Sequence, residues 1–378
     1  MPAMRVALYT ETFLPKIDGI VRVVCLTLEH LQRRGIEAVV VAPEQGMRRY
    51  AGAEVIGVPC IRNPVYPEGR IGIPTPQVYR RVKAFAPDLI HVFHPVDIGI
   101  MGVLHSKWMH LPLLTSFHLD IAHIATFYGL PLLGALLKRM VTWGFNQGVH
   151  SLAPSRLVQA QMVKDGVRSA GWWRRGVDGQ AFHPRFRSEA VRSILSDGHT
   201  DDILLLYVGR LAPEKQIEQI KSVLEQIPGT RLALVGGGPH REALEQHFRG
   251  LPVTFAGYRT GRALAEAYAS ADIFVFPSAF ESFGLVLLEA MASGLPVVSS
   301  RVGGAADLIE EGVSGYSFEV NDVRGLVNGV RSLIEADGGL SAARQAARAH
   351  AETFDWQVIM DELISCYEAI LAGRPMPI

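Results

Sequence analysis

The residues that decide the fold run from Ala271 to Gly294 and read A-D-I-F-V-F-P-S-A-F-E-S-F-G-L-V-L-L-E-A-M-A-S-G. The continuous apolar run at 273–276 is typical of a strand that is buried on both faces of a parallel sheet. Segment 282–284 predicts the start of a helix, and Gly294 with Pro296 predicts its end. A strand that leads into a helix in this way indicates an α/β domain.

The same segment carries two carboxylates, Glu281 and Glu289, eight positions apart. The start of a helix presents free N–H groups and a positive dipole end, which together favour a phosphate. Carboxylates beside that start and further along the helix can accept hydrogen bonds from sugar hydroxyls. The combination indicates a nucleotide-sugar site. The alternative is a surface helix with an acidic residue at each end.

A second segment, Tyr207–Lys215, reads Y-V-G-R-L-A-P-E-K and follows the apolar run 203–208. Arg210 and Lys215 therefore come just after the carboxyl end of a predicted buried strand, where open α/β sheets bind ligands. A planar guanidinium and a compact ammonium suit a diphosphate. The alternative is two solvated cations, one of them paired with Glu214.

The length of 378 residues predicts two domains, and a composition of 48% hydrophobic and 20% charged residues predicts a large core. We find no signal peptide and no apolar run long enough to span a bilayer. The three cysteines are far apart and show no metal-ligand spacing, so we expect them to stay reduced. These properties predict a cytoplasmic protein, with peripheral attachment to the inner face of the membrane as an open alternative.

The formal net charge is zero, but it is unevenly distributed. Residues 1–180 contain 20 Lys and Arg against 12 Asp and Glu, which gives +8, and the rest of the chain has 17 against 25, which gives −8. A basic half predicts an anionic partner, and an anionic membrane surface fits better than nucleic acid, for which no binding motif is present. Chance asymmetry is the alternative.

Strand-like and helix-like runs alternate along the whole chain, which predicts two consecutive doubly wound domains. We expect domains at 1–180 and 181–354, with a linker at 175–189, and a last segment at 355–378 whose helix (355–372) returns to the first domain. Strands are predicted at 5–9, 38–42, 55–58, 89–93, 113–117, 150–153, 204–208, 231–235, 253–256, 273–276 and 297–299. Helices are predicted at 21–34, 132–145, 216–226, 241–248 and 261–270.

These segments resemble glycosyltransferases of family 4, whose GT-B fold has two Rossmann-like domains facing each other across a cleft. The E-x7-E segment at Glu281 and Glu289 and the G-R-x4-K segment at Arg210 and Lys215 are similar to the donor-site signatures of that family. Further matches are A-D-I-F-V-F-P-S at 271–278, G-G-G-P at 236–239 and G-G at 303–304. The resemblance covers essentially the whole chain.

The N-terminal half resembles two subgroups that act on lipids. The segments that carry this likeness are Y-T-E-T-F-L-P-K-I-D-G-I at 9–20, R-G-V-D at 175–178 and F-H-P at 182–184. One subgroup is typified by sulfoquinovosyl diacylglycerol synthase, and the other comprises GDP-mannose-dependent α-mannosyltransferases. Segments 55–59 and 207–216 are closer to the first.

The resemblance implies a role for each matching residue of the donor site. Arg210 and Lys215 would hold the diphosphate, Glu289 the ribose, and Glu281 the transferred sugar. The remaining donor-site residues that it implies are Gly19, Tyr258, Ser282, Phe283, Gly284 and Leu285.

The resemblance further implies retaining transfer without a metal or other cofactor, in which Arg210 and Lys215 take the place of a metal. His118 matches the histidine of the family's active site, and we expect His118, Arg210, Lys215 and Glu281 to be catalytic. Asp120 and Arg175 are expected on the acceptor side. The expected donor is UDP-linked, with UDP-sulfoquinovose as the specific candidate, and the expected acceptor is diacylglycerol or a similar lipid. GDP-mannose with a lipid acceptor is the alternative.

Other readings stay open at this point. A sugar-nucleotide-binding protein without catalysis predicts a damaged motif, and none is found; an epimerase or a phosphorylase can share the architecture. Segment 127–143, rich in leucine with Lys138 and Arg139, is either a membrane-docking helix or a core helix with a basic face. Trp172 and Trp173 are expected to pack near the linker.

Overall fold

A computed structural model describes residues 4–16, 18–62, 70–127, 129–281, 284–336 and 338–378. Its contacts divide the chain into two units, Met1–Arg174 with Gln357–Ile378, and Arg175–Trp356. The boundaries thus lie at 174/175 and 356/357, whereas the sequence analysis predicted them at 180/181 and 354/355. Among the described helices, none combines the length and the apolar character that crossing a bilayer requires.

The strands are, in chain order, β1 (Arg5–Thr10), β2 (Glu37–Pro43), β3 (Arg49–Tyr50), β4 (Ala53–Val58), β5 (Cys60–Arg62), β6 (Arg70–Gly72), β7 (Leu89–Phe93), β8 (Leu113–Ser116), β9 (His150–Ala153), β10 (Ala170–Trp172), β11 (Ile203–Val208), β12 (Thr230–Val235), β13 (Val253–Gly257), β14 (Ile273–Phe276), β15 (Val297–Ser300) and β16 (Gly315–Phe318). The helices are α1 (Gly19–Arg33), α2 (Pro76–Phe85), α3 (Ile98–Met109), α4 (Ile121–Phe127), α5 (Pro131–Phe145), α6 (Arg156–Lys164), α7 (Glu189–Leu195), α8 (Lys221–Gln226), α9 (Arg241–His247), α10 (Gly261–Ser270), α11 (Leu285–Ala292), α12 (Ala305–Leu308), α13 (Val323–Glu335), α14 (Gly339–Glu352) and α15 (Trp356–Leu371).

The first unit contains an eight-stranded sheet in the order β10-β9-β8-β7-β1-β2-β4-β3. Every pairing is parallel except that of the short strand β3, and β5 and β6 form a separate antiparallel pair. Because side chains alternate along a strand, Ile90 and Val92 of β7 enter the core beside α2 and α3, whereas His91 contacts α15.

The last helix of the chain, α15, packs on this first unit. His30 of α1 lies 2.7 Å from the carboxylate of Asp361, and the indole N–H of Trp173 donates to the carbonyl of Ile359 over 3.2 Å. Trp173 is fully buried by these contacts. The guanidinium of Arg156 covers the ring of Trp172 at 4.6 Å.

The second unit has one six-stranded sheet, entirely parallel, in the order β13-β12-β11-β14-β15-β16. Its central strands β11 and β14 are buried along almost their whole length. This explains why both read as continuous apolar runs rather than as alternating patterns.

All eleven predicted strands are confirmed, but the prediction of a continuous helix at 216–226 is wrong. Gln216 adopts a left-handed backbone with φ of 48°, a 3-10 turn follows at Ile217–Ile220, and α8 begins only at Lys221. The sequence also missed β3, β5, β6, β10 and β16, all but the last of which have three residues or fewer. Runs this short carry too little periodicity to be recognised.

Glu11, in the motif at residues 9–20, caps the start of α3. Its carboxylate accepts hydrogen bonds from the backbone N–H groups of Val96, Asp97, Ile98 and Gly99, at 2.8–3.2 Å. Burial raises the pKa of this carboxyl to about 7, although three of the N–H donors oppose the rise. A neutral carboxyl still accepts hydrogen bonds, so the cap forms in either protonation state.

We expect Glu11→Ala to destabilise α3 locally by about 2 kcal/mol, because it leaves four N–H donors without their acceptor. Hydrogen exchange in peptides that cover residues 96–103 measures this and should accelerate about 30-fold. Glu54→Ala, which removes a half-exposed carboxylate paired with Arg81, is the matched control and should leave these peptides unchanged. Equal protection in wild type and Glu11→Ala would contradict the capping role.

Candidate active site

The candidate site of the second unit lies where β11 and β14 end. These strands are parallel neighbours, with Leu205 opposite Ile273 and Leu206 opposite Phe274. Their carboxyl ends therefore meet at one edge of the sheet, the edge at which open α/β sheets bind ligands. Arg210 follows the first strand and Glu281 follows the second.

Lys215 and Glu281 form a partly buried ion pair at this edge. The ammonium donates to Glu281 Oε2 over 3.0 Å and to the carbonyl of Phe280 over 3.2 Å, and it lies 5.2 Å from the centre of the Phe276 ring. Both side chains of the pair are only 16% exposed. The other oxygen of Glu281 accepts the N–H of Gly284 over 3.2 Å. These contacts fix both charged groups beside the start of α11.

Arg210 is paired with Glu214, four residues further along the chain. The hydroxyl of Tyr207 donates to the carbonyl of Arg210 over 3.0 Å, and burial raises the pKa of that hydroxyl, so it stays a donor. The carbonyl of Glu214 accepts the N–H of Ala279 over 2.9 Å, which joins the two loops. The charges of two cations and two carboxylates thus cancel at this edge. An anionic ligand would compete with the carboxylates for the cations.

Helix α11 begins at Leu285, directly after Gly284. Gly284 has φ of 72°, and a Cβ there would lie 2.9 Å from Leu308, so other residues would be strained. Glu289, inside the helix, is 6% exposed and accepts the hydroxyl of Tyr268 over 3.1 Å. Ser282 and Phe283, both predicted to bind the donor, lie outside the described residues.

The loops after β11, β12 and β13 approach one another through their backbones. The N–H of Gly236 donates to the carbonyl of Gly257 over 2.8 Å, and a Cβ on Gly236 would lie 2.0 Å from the carbonyl of Gly209. Only glycine fits that approach. Tyr258 comes next after Gly257 and is 64% exposed at the same edge.

The first unit contains three of the predicted residues, namely Gly19, His118 and Asp120. Gly19 is the first residue of α1, where the side chain of Asp18 accepts the N–H of Val21 over 2.9 Å. His118 follows β8 and is buried; its Nε2 lies 2.7 Å from the hydroxyl of Ser116. Asp120 is partly buried just before α4.

Arg175 begins the second unit and is 1% exposed. Burial lowers the pKa of its guanidinium to about 9. The structure therefore places within one unit Arg175, Arg210, Lys215, Tyr258, Glu281, Gly284, Leu285 and Glu289.

The sequence missed two supporting residues and assigned no role to a third, Asp272. The two supporting residues are Tyr268, which donates to Glu289, and Tyr207, which donates to the carbonyl of Arg210. The sequence patterns of α10 and β11 predict only that these tyrosines are buried. Asp272, which fits the family pattern, has a structural role: Arg192 and Arg344 contact its carboxylate at 2.9 and 3.4 Å. Arg210 and Glu214 are four residues apart, a spacing that allows an ion pair. The sequence analysis considered pairing of one cation with Glu214 only as the alternative to a binding site.

The two Rossmann-like units have the GT-B fold of glycosyltransferases. Residues 17–180 match the family described as Glycosyltransferase Family 4, and residues 196–351 match Glycosyl transferases group 1. The chain belongs to family 4 of the glycosyltransferases, and it is an enzyme that uses a nucleotide sugar.

Individual relatives agree with this membership. The chain is 35% identical to the sulfoquinovosyl transferase SQD2 of Arabidopsis thaliana over 344 residues, which is 87% of this chain but only 66% of that protein. It is 34% identical to a GDP-mannose-dependent alpha-mannosyltransferase of Mycobacterium tuberculosis over 391 residues and 99% of both proteins. Among solved structures, Anabaena Alr3699/HepE in complex with UDP-glucose matches 97% of this chain and 100% of its own with a TM-score of 0.77 at 22% identity.

Proposed function

We propose that this protein is a retaining, metal-independent hexosyltransferase that moves a sugar from a nucleotide sugar to a lipid acceptor. UDP-sulfoquinovose and diacylglycerol are the first candidates for donor and acceptor. The main support is the arrangement at the ends of β11 and β14, where Arg210 and Lys215 follow the first strand and Glu281 is held between Lys215 and Gly284 at the start of α11.

In this proposal the diphosphate of the donor binds Arg210 in place of Glu214 and takes the remaining N–H of the Lys215 ammonium, whose other two N–H groups stay on Glu281 and the Phe280 carbonyl. Glu289, which Tyr268 holds in place, accepts the ribose hydroxyls, and Glu281 accepts a hydroxyl of the transferred sugar. Two cations at the diphosphate stabilise the negative charge that develops on the leaving group. No metal is needed for that role, because the cations neutralise the same charge.

The transfer breaks the bond between C1 of the sugar and the diphosphate oxygen and forms a bond from C1 to the acceptor hydroxyl. The hydroxyl proton passes to the leaving phosphate, so the products are an α-glycoside and a nucleoside diphosphate. Glu281 is engaged by an ammonium and a backbone N–H, which suits sugar binding better than nucleophilic attack. The configuration at C1 is then retained, because the acceptor attacks from the face of the sugar that the leaving group occupies. His118 acts at the transferred sugar.

A GDP-mannose-dependent α-mannosyltransferase acting on a lipid is the second candidate. Its support is that the mycobacterial mannosyltransferase aligns over 99% of both chains, whereas the plant transferase is longer than this chain. The base of the donor distinguishes the two candidates. The loop at 257–259, which contains the exposed Tyr258, is the segment that we assign to the base, largely through its backbone groups.

A product-release screen tests the proposal. The purified protein is incubated with UDP-sulfoquinovose, UDP-glucose, GDP-mannose and ADP-glucose, each with and without vesicles that contain diacylglycerol. UDP release that requires diacylglycerol, together with an α-anomeric product by NMR and full activity in EDTA, is the expected result. Release from GDP-mannose alone would select the second candidate. Binding without release from any pair would contradict transfer to these lipids.

Helix α5 offers a surface for the bilayer that would carry such an acceptor. Leu132 and Leu136, one turn apart, are 88% and 65% exposed, and Trp143 is 41% exposed on the same helix. The ammonium of Lys107 lies 5.2 Å from the Trp143 ring, and Arg139 is exposed nearby. Exposed leucines followed by an aromatic ring and cations are typical of helices that lie on an anionic membrane surface.

We expect the double variant Leu132→Glu/Leu136→Glu to bind vesicles containing phosphatidylglycerol about 10-fold more weakly or worse, because it places two carboxylates where apolar side chains enter the lipid. Vesicle co-sedimentation measures this. Ile194→Glu is the matched control, since Ile194 is 61% exposed on α7 of the other unit. Wild-type binding by the double variant would refute the role of α5, and activity on a detergent-solubilised acceptor should be unaffected.

A further inference from the structure

The residue that follows Lys215 has a backbone conformation that side chains rarely adopt. Gln216 has φ of 48° and ψ of 37°, in the left-handed region, which is unfavourable for a residue with a Cβ. Such a conformation persists only where the surrounding structure holds it, and it is concentrated at functional sites. The strain at Gln216 therefore has to be offset by contacts with its surroundings.

The side-chain amide of Gln216 makes these contacts. Its Nε2 lies 2.7 Å from Oδ1 of Asn321, and its Oε1 lies 2.9 Å from Nε2 of Gln219, which also lies 3.3 Å from Asn321 Oδ1. Exchanging nitrogen and oxygen in all three amides would turn every donor into an acceptor and keep all three hydrogen bonds. This amide cluster of Gln216, Gln219 and Asn321 therefore forms in either orientation of the amides.

Asn321 anchors the amide cluster from the loop between β16 and α13. Its own backbone is left-handed, with φ of 67°, a conformation that asparagine tolerates better than most residues. The next residue, Asp322, caps α13, because its carboxylate accepts the N–H of Gly325 over 2.9 Å. The start of this 13-residue helix thus sets the position of Asn321, and Gln216 is held against a fixed point of the second unit.

The left-handed residue closes the short 3-10 turn Pro213–Lys215, which carries two charged residues of the candidate site. The N–H of Gln216 donates to the carbonyl of Pro213 over 3.1 Å, and the N–H of Lys215 donates to the carbonyl of Ala212 over 3.0 Å. A second 3-10 turn starts directly after Gln216. The conformation of Gln216 therefore sets where the Cα of Lys215 lies and in which direction its side chain leaves the backbone.

We propose that Gln216 and Asn321 are positioning residues, whose contact holds the left-handed turn that keeps the Lys215 ammonium at the diphosphate position. The inference rests on the proposed role of Lys215 at the diphosphate. Glu281 and the Phe280 carbonyl fix only the far end of a flexible side chain. The amide cluster fixes the near end, and both ends have to be in place for the ammonium to meet the charge of the leaving group.

Asn321→Ala removes the partner of Gln216 and leaves its strained backbone without support. With the donor that the release screen selects, we expect kcat to fall about 10-fold and the donor KM to change less than about threefold. The reason is that a displaced ammonium loses most where the charge on the leaving group is largest. Asn328→Ala, which removes an exposed amide from α13, is the matched control and should keep wild-type kcat.

A glycine at position 216 separates positioning from general stability. Glycine adopts a positive φ without strain, so Gln216→Gly needs no support from Asn321, whereas Gln216→Ala keeps the Cβ and loses the support. We expect Gln216→Ala to match Asn321→Ala and Gln216→Gly to keep about a third of the wild-type kcat. The double variant Gln216→Gly/Asn321→Ala should be no slower than Gln216→Gly. A double variant as slow as Asn321→Ala alone would overturn the inference.

Hydrogen exchange in the absence of donor tests the turn independently of activity. Peptides that cover residues 212–220 should exchange about 10-fold faster in Asn321→Ala and return close to the wild-type rate when Gln216→Gly is added. Unchanged exchange in Asn321→Ala would overturn the anchoring role. Near-wild-type activity of Lys215→Ala would refute instead the proposed diphosphate site, a result on which the exchange data do not depend.

Discussion

Lys215→Ala is expected to lower kcat about 1,000-fold, equivalent to about 4 kcal/mol of transition-state stabilisation. The ammonium is 16% exposed and is held between the Glu281 carboxylate and the Phe280 carbonyl, so its position is fixed before the donor arrives. In the proposed reaction it neutralises charge on the leaving diphosphate. That charge grows as the bond to the sugar breaks, which makes the interaction stronger in the transition state than in the bound donor.

Steady-state kinetics with the donor that the release screen selects would measure this loss. Lys221→Ala is the matched control: Lys221 belongs to the next helix, is 37% exposed and lies 3.8 Å from Glu225. It should retain wild-type kcat. If Lys215→Ala kept more than a tenth of the wild-type rate while remaining folded, the assignment of the diphosphate site would be wrong.

Glu281→Gln is expected to lower kcat about 100-fold, because hydrogen bonds to a charged acceptor contribute about 1.5–3 kcal/mol. Glutamine has the same size and can still accept the N–H of Gly284, so the start of α11 should persist. The change removes the negative charge that faces Lys215 and the strong acceptor for the sugar hydroxyl. Circular dichroism should show an unchanged fold.

The double variant Lys215→Ala/Glu281→Gln distinguishes one joint site from two independent ones. Because the two groups are in direct contact, their effects should not add, and the double variant should be little worse than Lys215→Ala alone. Glu225→Gln serves as the control for loss of a carboxylate. Fully additive losses would show that Glu281 and Lys215 act separately, and wild-type kinetics in Glu281→Gln would remove Glu281 from the site.

The sequence predicts those features of the fold and the site that depend on residues close together in the chain. The runs at β11 and β14 are apolar throughout, and parallel pairing brings their ends together, so Arg210, Lys215 and Glu281 could be grouped from the amino-acid sequence alone. Family membership is likewise confirmed. The donor, the acceptor, the lack of a metal and the roles of single residues stay predictions.

Contacts between distant segments could not be predicted. The hydrogen bond from Tyr268 to Glu289 spans 21 positions, and the one between Tyr367 and His91 spans 276. No spacing rule covers such separations, because they depend on the packing of whole elements. The 3-10 turn before α8 was missed for a local reason. Gln216 adopts a positive φ, and glutamine is not a residue type that predicts such a backbone conformation.

The placement of α15 also sets an order of events during synthesis. The first unit leaves the ribosome early, but it lacks the helix that buries His91 and Trp173 until the whole of the second unit has been translated. A nascent chain that ends at residue 356 thus leaves His91 and Trp173, which α15 covers in the finished protein, accessible to solvent and to chaperones. Completion of the first unit therefore follows translation of the second.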